Sequence, residues 1–173
     1  MAPSSRQPFS RQGVRRISVS IVENLGVRVG STNVGGSVTL RVGTVNVGTM
    51  KGRSAEVADM LKRRKVDVCG FQEVRFKGEG TRVIKGEDNG ARFKWFWKGN
   101  GSGTNGVGFA IREDWAKSVV AVKRVSDRVL RVDVSIEAEV VSFVVVYAPQ
   151  VGRSEEKEKF YDSVYAVSRE GDV

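Results

Sequence analysis

Apolar residues in this chain gather in short runs rather than long helical stripes. Val66 to Phe71 and Val140 to Tyr147 are apolar almost without a break, the pattern of strands covered on both faces. Leu40 to Asn46 (LRVGTVN) and Asn105 to Ile111 (NGVGFAI) are further β-prone runs. Between the first two strands, Val57, Met60 and Leu61 recur at helical spacing and predict a helix over about 53–64. Ser54 stands where an N-cap would, and Lys62 to Lys65 close the last turn, where cations complement the helix dipole. Glycines at 78, 80, 86 and 90 punctuate a short strand near Arg82–Ile84, and Arg92–Lys98 (RFKWFWK) predicts another. The flexible turn Gly99–Gly106 follows. A valine-rich meander covers about 117–125, 128–136 and 139–147 until Pro149 and Gly152 break it. Ser154 to Tyr165 then predicts an amphipathic helix with Phe160, Tyr161 and Val164 inward.

The class is therefore α/β from Thr39 onwards, with residues 39–173 as one domain. Residues 1–38 differ: they are rich in Ser, Arg and Gly, and no acid appears before Glu23. Such a stretch buries too little apolar surface to offset its ordering entropy, so a disordered basic tail is expected. An Arg- and Ser-rich, acid-poor start also fits a mitochondrial transit peptide, the less favoured reading.

The formal net charge of +9 points to a polyanionic partner, nucleic acid first and an anionic membrane surface second. A basic balance also simply keeps a small protein soluble, so charge alone leaves both readings open. No run approaches the roughly 20 apolar residues of a membrane-spanning helix. Cys69 is the only cysteine, which excludes an internal disulfide, gives no ground for a disulfide-linked partner, and suits a nuclear or cytoplasmic setting. Histidine is absent, so no imidazole acid, base or metal ligand comes from these 173 residues.

The strand ends carry the candidate chemistry, because side chains beyond strand C-termini converge in open α/β sheets. Glu73 follows a buried strand, where an unpaired carboxylate is costly unless a cation or donor meets it. Magnesium suits it, being held by one or two carboxylates plus waters and substrate phosphate. An ion pair with nearby Arg75 is the alternative. Asn46 could hold a metal-bound water, a carboxylate or a phosphate oxygen, or be only a turn residue. The Tyr147 hydroxyl could donate to phosphate, or be the polar tip of a packed ring. Arg75, Lys77, Asn105, Arg128 and Arg131 are candidate nucleic-acid contacts, although charged positions of this kind are usually solvated faces. Trp95, Phe96 and Trp97 could stack on bases, or serve as core and cross-strand packing.

Taken in order, TVNVGTM (44–50), GFQEVR (70–75), NGVGFAI (105–111), SDRVLRV (126–132) and VVVYAPQVG (144–152) resemble the endonuclease/exonuclease/phosphatase family. The likeness is to endonuclease domains of RTE-type non-LTR retrotransposons and to craniofacial development protein 2-like sequences, and it spans about Thr39 to Tyr165. It implies a four-layer α/β sandwich, here in part: two mostly antiparallel sheets face to face with helices outside. It also implies magnesium-dependent phosphodiester hydrolysis, with manganese a workable substitute. Asn46 matches the family's first-strand Asn, Glu73 its metal-binding Glu and Tyr147 its phosphate-contacting Tyr.

Two departures stand out. Val45 precedes Asn46 where the family usually has Trp, which should loosen the packing beneath Asn46. The family's Gly-Asp-x-Asn and Asp–His motifs are not present, so the chain is expected to be the N-terminal portion of the domain. On that reading the 140–147 run shows apolar surface and an open edge, metal is held weakly at most, and hydrolysis by this chain alone is not expected. The expected function is thus a truncated, endonuclease-like domain of retroelement origin whose parent reaction is metal-assisted hydrolysis of DNA phosphodiesters. A non-catalytic, basic nucleic-acid or partner-binding protein is the alternative. A relative acting on phosphoinositides or sphingomyelin is a third reading.

Overall fold

Side chains that alternate in and out along short strands, accompanied by two amphipathic helices, can satisfy every apolar face only by layering. The computed structural model describes residues 15–21, 28–34, 38–137, 139–150 and 154–169. Among these, one six-stranded sheet has the spatial order β2 (Arg28–Val34), β3 (Val38–Asn46), β4 (Val68–Gln72), β7 (Val107–Arg112), β6 (Arg92–Lys98) and β5 (Glu79–Lys85). A four-stranded sheet has the order β1 (Arg15–Ile21), β10 (Glu139–Val146), β9 (Val129–Ile136) and β8 (Val119–Ser126). Helix α1 (Ser54–Arg63) joins β3 to the parallel β4, and α2 (Ser154–Arg169) follows β10.

Three apolar clusters define the layers. Leu40, Val68, Phe109 and Ile111 of one sheet meet Leu130, Val132, Val141, Phe143 and Val145 of the other in the central core. On the outer face of the larger sheet, Val57, Ala58 and Leu61 of α1 pack with Val45, Cys69, Phe71, Phe93 and Trp95. Beyond the smaller sheet, Phe160 and Val167 of α2 cover Val129, Val144 and Val146. The order helix, sheet, sheet, helix is the α/β sandwich that the family resemblance implied.

Several expectations need correction. Two segments of the supposed tail are strands: β1 runs parallel to β10 from Arg15↔Glu139 to Ile21↔Val145, and β2 is antiparallel to β3. Composition hid the period-two alternation Ile17–Val19–Ile21, and the ladder offered by β10 supplies backbone partners that composition cannot register. The rest of residues 1–38, apart from Val38 in β3, lies outside the described residues. For the same reason β10 shows no open edge, lying between β1 and β9, and Val141 to Val146 are buried.

Ser54 is not the N-cap. Arg53 holds that position without a side-chain cap, and the Ser54 hydroxyl donates instead to the Met50 carbonyl at 3.3 Å. Tyr161 is exposed, and Val167, beyond the expected end of α2, turns inward in its place. Trp95 and Phe96 are buried core, while Trp97 packs edge-on against Phe76. Val45 is buried within the α1-facing cluster.

Candidate active site

The parallel β3–β4 pair sets Asn46 opposite Gln72, so the next residue, Glu73, emerges at the same end of the sheet. There the chain turns sharply: Glu73 and Arg75 have φ of 56° and 53°, a left-handed conformation that costs non-glycine residues about 1–2 kcal/mol each. Four backbone bonds fix this turn. Val47 N–H donates to the Gln72 carbonyl at 3.0 Å and Met50 N–H to that of Val74 at 3.1 Å. Val74 N–H donates to the Gly106 carbonyl at 3.2 Å and Arg75 N–H to that of Asn105 at 2.9 Å. The glycines at 106 and 108 admit Val74 closely, since a Cβ at Gly106 would lie 2.8 Å from Val74 Cγ2.

Glu73 is the hub of the site. Its carboxylate accepts from Asn46 Nδ2 at 3.0 Å, from Arg75 Nη2 at 2.9 Å, and from the Tyr147 hydroxyl. The Asn46 carbonyl oxygen is taken by Gly48 N–H at 3.0 Å, which turns the amide nitrogen towards Glu73. These donors hold the Glu73 carboxyl below the usual carboxylate range: the Asn46 bond is the largest influence, partial burial opposes it, and Arg75 and Tyr147 lower it further.

Tyr147, one residue beyond β10, is 6% exposed. Its backbone N–H donates to the Arg128 carbonyl at 2.9 Å. In return Arg128 Nη1 reaches the carbonyls of Tyr147 and Ala148, both at 3.3 Å, and the guanidinium carbon sits 4.9 Å from the ring centroid. The two sheets thus meet at their ends around a cavity of about 420 Å³ lined by Glu73, Arg75, Thr104, Asn105, Arg128 and Tyr147, together with Gln150 and Glu156.

Asn46, Glu73, Tyr147, Arg75, Asn105 and Arg128 therefore converge. Lys77 stays exposed outside that lining, its stem passing beside Gly103 close to Lys51. Arg131 is not a nucleic-acid contact, contrary to expectation. It is 3% exposed on the outer face of β9, bound to Asp133, Ser142 and the Val167 carbonyl beneath α2. Leu130 and Val132 face the central core, so the alternation along β9 turns Arg131 to the opposite face, which α2 covers. Thr104, Gln150 and Glu156 also line the cavity, but as loop and helix positions they lack the strand-end signature in sequence.

Among the described residues no group of three or more His, Cys, Asp or Glu could hold a metal. A polar cavity lined by two carboxylates, Glu73 and Glu156, the first already paired with Arg75, fits Mg²⁺, which keeps several waters and takes one or two carboxylates with substrate phosphate. It does not fit a zinc centre with three or four protein ligands.

The profile of the Endonuclease/Exonuclease/phosphatase family matches residues 30–171. Among solved structures, the catalytic domain of Xenopus laevis APE2 superimposes with a TM-score of 0.53 at 12% identity, covering 71% of this chain and 51% of that one. The endonuclease domain of TRAS1, a telomere-specific non-LTR retrotransposon, gives 0.51 at 19% identity, covering 75% and 52%. The chain thus spans about half the length of the structures it matches, and it matches none of the curated proteins compared with it. With strand ends, layers and profile in agreement, the chain belongs to the endonuclease/exonuclease/phosphatase family.

Proposed function

We propose that this chain carries the metal-holding and phosphate-orienting part of a Mg²⁺-dependent site for DNA phosphodiester hydrolysis, of retroelement origin, and does not turn over alone. The observation that carries the reading is the convergence of Asn46, Arg75 and Tyr147 on the Glu73 carboxylate. Bound magnesium would polarise the phosphoryl oxygens and lower the pKa of a coordinated water. Glu73 would hold it, with Asn46 fixing the carboxylate's orientation. The Tyr147 hydroxyl and the Arg75 guanidinium, both in contact with Glu73, are placed to donate to phosphate oxygens once a substrate enters. A net charge of +9 favours a polynucleotide. The five ordered motifs, which resemble those of RTE-type elements and craniofacial development protein 2-like sequences, and the likeness in fold to a retrotransposon endonuclease domain support the retroelement origin. The absence of histidine and of a Gly-Asp-x-Asn sequence supports inactivity of these residues alone, since one missing general base costs about 10²–10⁴ in rate.

A second reading, a basic nucleic-acid-binding protein without turnover, is favoured by the Arg75–Glu73 pair, which leaves the site electrostatically satisfied without metal. Nicking of supercoiled plasmid with Mg²⁺ is the test, comparing wild type with Glu73→Ala. Repeated cutting abolished by that substitution would establish the chemistry and overturn the inactivity. Salt-sensitive retention of DNA without cutting supports the binding reading. Release of phosphate from a lipid headgroup would refute DNA as the substrate.

A further inference from the structure

We infer that Asp127, in the turn between β8 and β9, is a positioning residue for the Glu73 carboxylate, acting through Asn105. The inference rests on reading Glu73 as the metal-holding group. The loop from Gly99 to Gly106 (GNGSGTNG) is what sequence alone makes flexible, because glycine loses the most backbone freedom on ordering. In the structure a single oxygen ties both of its ends: Asp127 Oδ2 accepts from Asn100 Nδ2 at 3.1 Å and from Asn105 Nδ2 at 3.0 Å. Asn100 then organises the middle, its Oδ1 accepting from Gly103 N–H at 2.7 Å, Thr104 N–H at 3.1 Å and Ser102 Oγ at 2.9 Å.

The ordered loop in turn holds the strained segment of the site. The Asn105 and Gly106 carbonyls accept the N–H groups of Arg75 and Val74, and those bonds keep Glu73 and Arg75 in their left-handed conformation. A continuous path therefore leads from a hairpin of the four-stranded sheet to a carboxylate on the six-stranded sheet. Bonds to an ionised acceptor are about twice as strong as neutral ones, so an aspartate suits the start of that path. Without it the loop regains its freedom, the left-handed turn loses its restraint, and Glu73 no longer points at the place where Asn46 and Tyr147 meet it.

The experiment uses the full chain and compares wild type with Asp127→Ala, Asp127→Asn, Asn105→Ala and Glu73→Ala. Amide hydrogen exchange is followed at Val74 and Arg75, with Val144 and Val145 of β10 as controls, and Mn²⁺ binding is followed by water-proton relaxation. Asp127→Ala is expected to speed exchange at Val74 and Arg75 roughly fivefold, one hydrogen bond's worth of local opening, with the controls unchanged. Mn²⁺ affinity should fall about tenfold, the lower end for loss of a group that orients a ligand. Asp127→Asn, which keeps an acceptor oxygen, should recover most of both, and Asn105→Ala should reproduce the exchange pattern by cutting the path one link later. Wild-type exchange and affinity in Asp127→Ala would overturn the inference. So would loosening that extends equally to β10 and is not recovered by Asp127→Asn. If Glu73→Ala still binds Mn²⁺ normally, the reading of Glu73 fails instead, while the exchange data still decide whether Asp127 holds the turn.

Discussion

Arg75 Nη2 lies 2.9 Å from Glu73 Oε2, so the carboxylate at the end of β4 comes with its own counter-cation. The Arg75 side chain is 46% exposed against 20% for Glu73, which leaves the guanidinium room to swing away when a stronger cation or a phosphate arrives. A half-exposed pair of this kind is worth about 0.2–1 kcal/mol, so Arg75→Ala should raise Mn²⁺ affinity by at most about fivefold. The same substitution should flatten the dependence of DNA retention on log salt by about one unit, as expected when one phosphate is no longer neutralised. Weaker Mn²⁺ binding in Arg75→Ala would mean that the guanidinium orients the carboxylate rather than competing for it.

The depressed proton affinity of Glu73 makes the site a pH-dependent contributor to stability. A carboxyl whose folded pKa lies below its unfolded value adds stability above the ordinary carboxylate range, and that stability is lost as pH falls through the folded value. Glu73→Gln should therefore lose stability relative to wild type at neutral pH, with the difference shrinking as both are acidified. Urea midpoints measured across that range check it. A gap that stays constant in acid would show that the bonds from Asn46, Arg75 and Tyr147 do not depend on the charge of Glu73.

Much of this site was legible because strand ends are legible. Continuous apolar runs located β4 and β10, and Glu73 and Tyr147 are the residues that follow them. The helix α1 emerged from the spacing of Val57 and Leu61, within a residue of its observed ends. Three things were not readable. Strand β1 sits in an Arg- and Ser-rich segment whose partner, β10, is more than a hundred residues away, and local composition says nothing about a distant edge. Arg131 looks like any surface arginine until α2 covers that face of β9. Asp127 gains a role only when a hairpin of one sheet meets a loop of the other, a relationship set by packing rather than by spacing.

Lys65 adopts φ of 55° just past the end of α1, where its N–H bonds to the Lys62 carbonyl at 2.9 Å and Val66 N–H to that of Leu61 at 3.0 Å. Glycine enters this helix-terminating conformation without the Cβ penalty. Lys65→Gly is expected to stabilise the protein by up to about 1 kcal/mol, the penalty being partly offset by glycine's greater freedom when unfolded. For a chain of this size that corresponds to a rise in Tm of about 2–4 °C. A calorimetric scan decides it, and a lowered Tm would show that the Lys65 side chain contributes more than its backbone costs.

Arg131 separates a surface role from a structural one by measurement. Its Nε donates to Asp133 Oδ1 at 2.6 Å, Nη2 to Ser142 Oγ at 2.9 Å, and Nη1 to the Val167 carbonyl at 2.6 Å, all out of water. Were Arg131 bound to phosphate, its removal would weaken DNA retention and leave folding intact. The buried arrangement demands the opposite. Arg131→Met strands the Asp133 carboxylate beneath α2 and should cost about 3–5 kcal/mol, whereas DNA retention per folded molecule should not change. Replacing both partners, as Arg131→Met with Asp133→Leu, removes the uncompensated charge and should recover most of that loss, because an apolar pair of similar volume avoids the desolvation of two ions. Urea unfolding of the single and double variants, beside DNA retention at fixed salt, tests both halves. A stable single variant that releases DNA would place Arg131 at the surface and invert the register of β9.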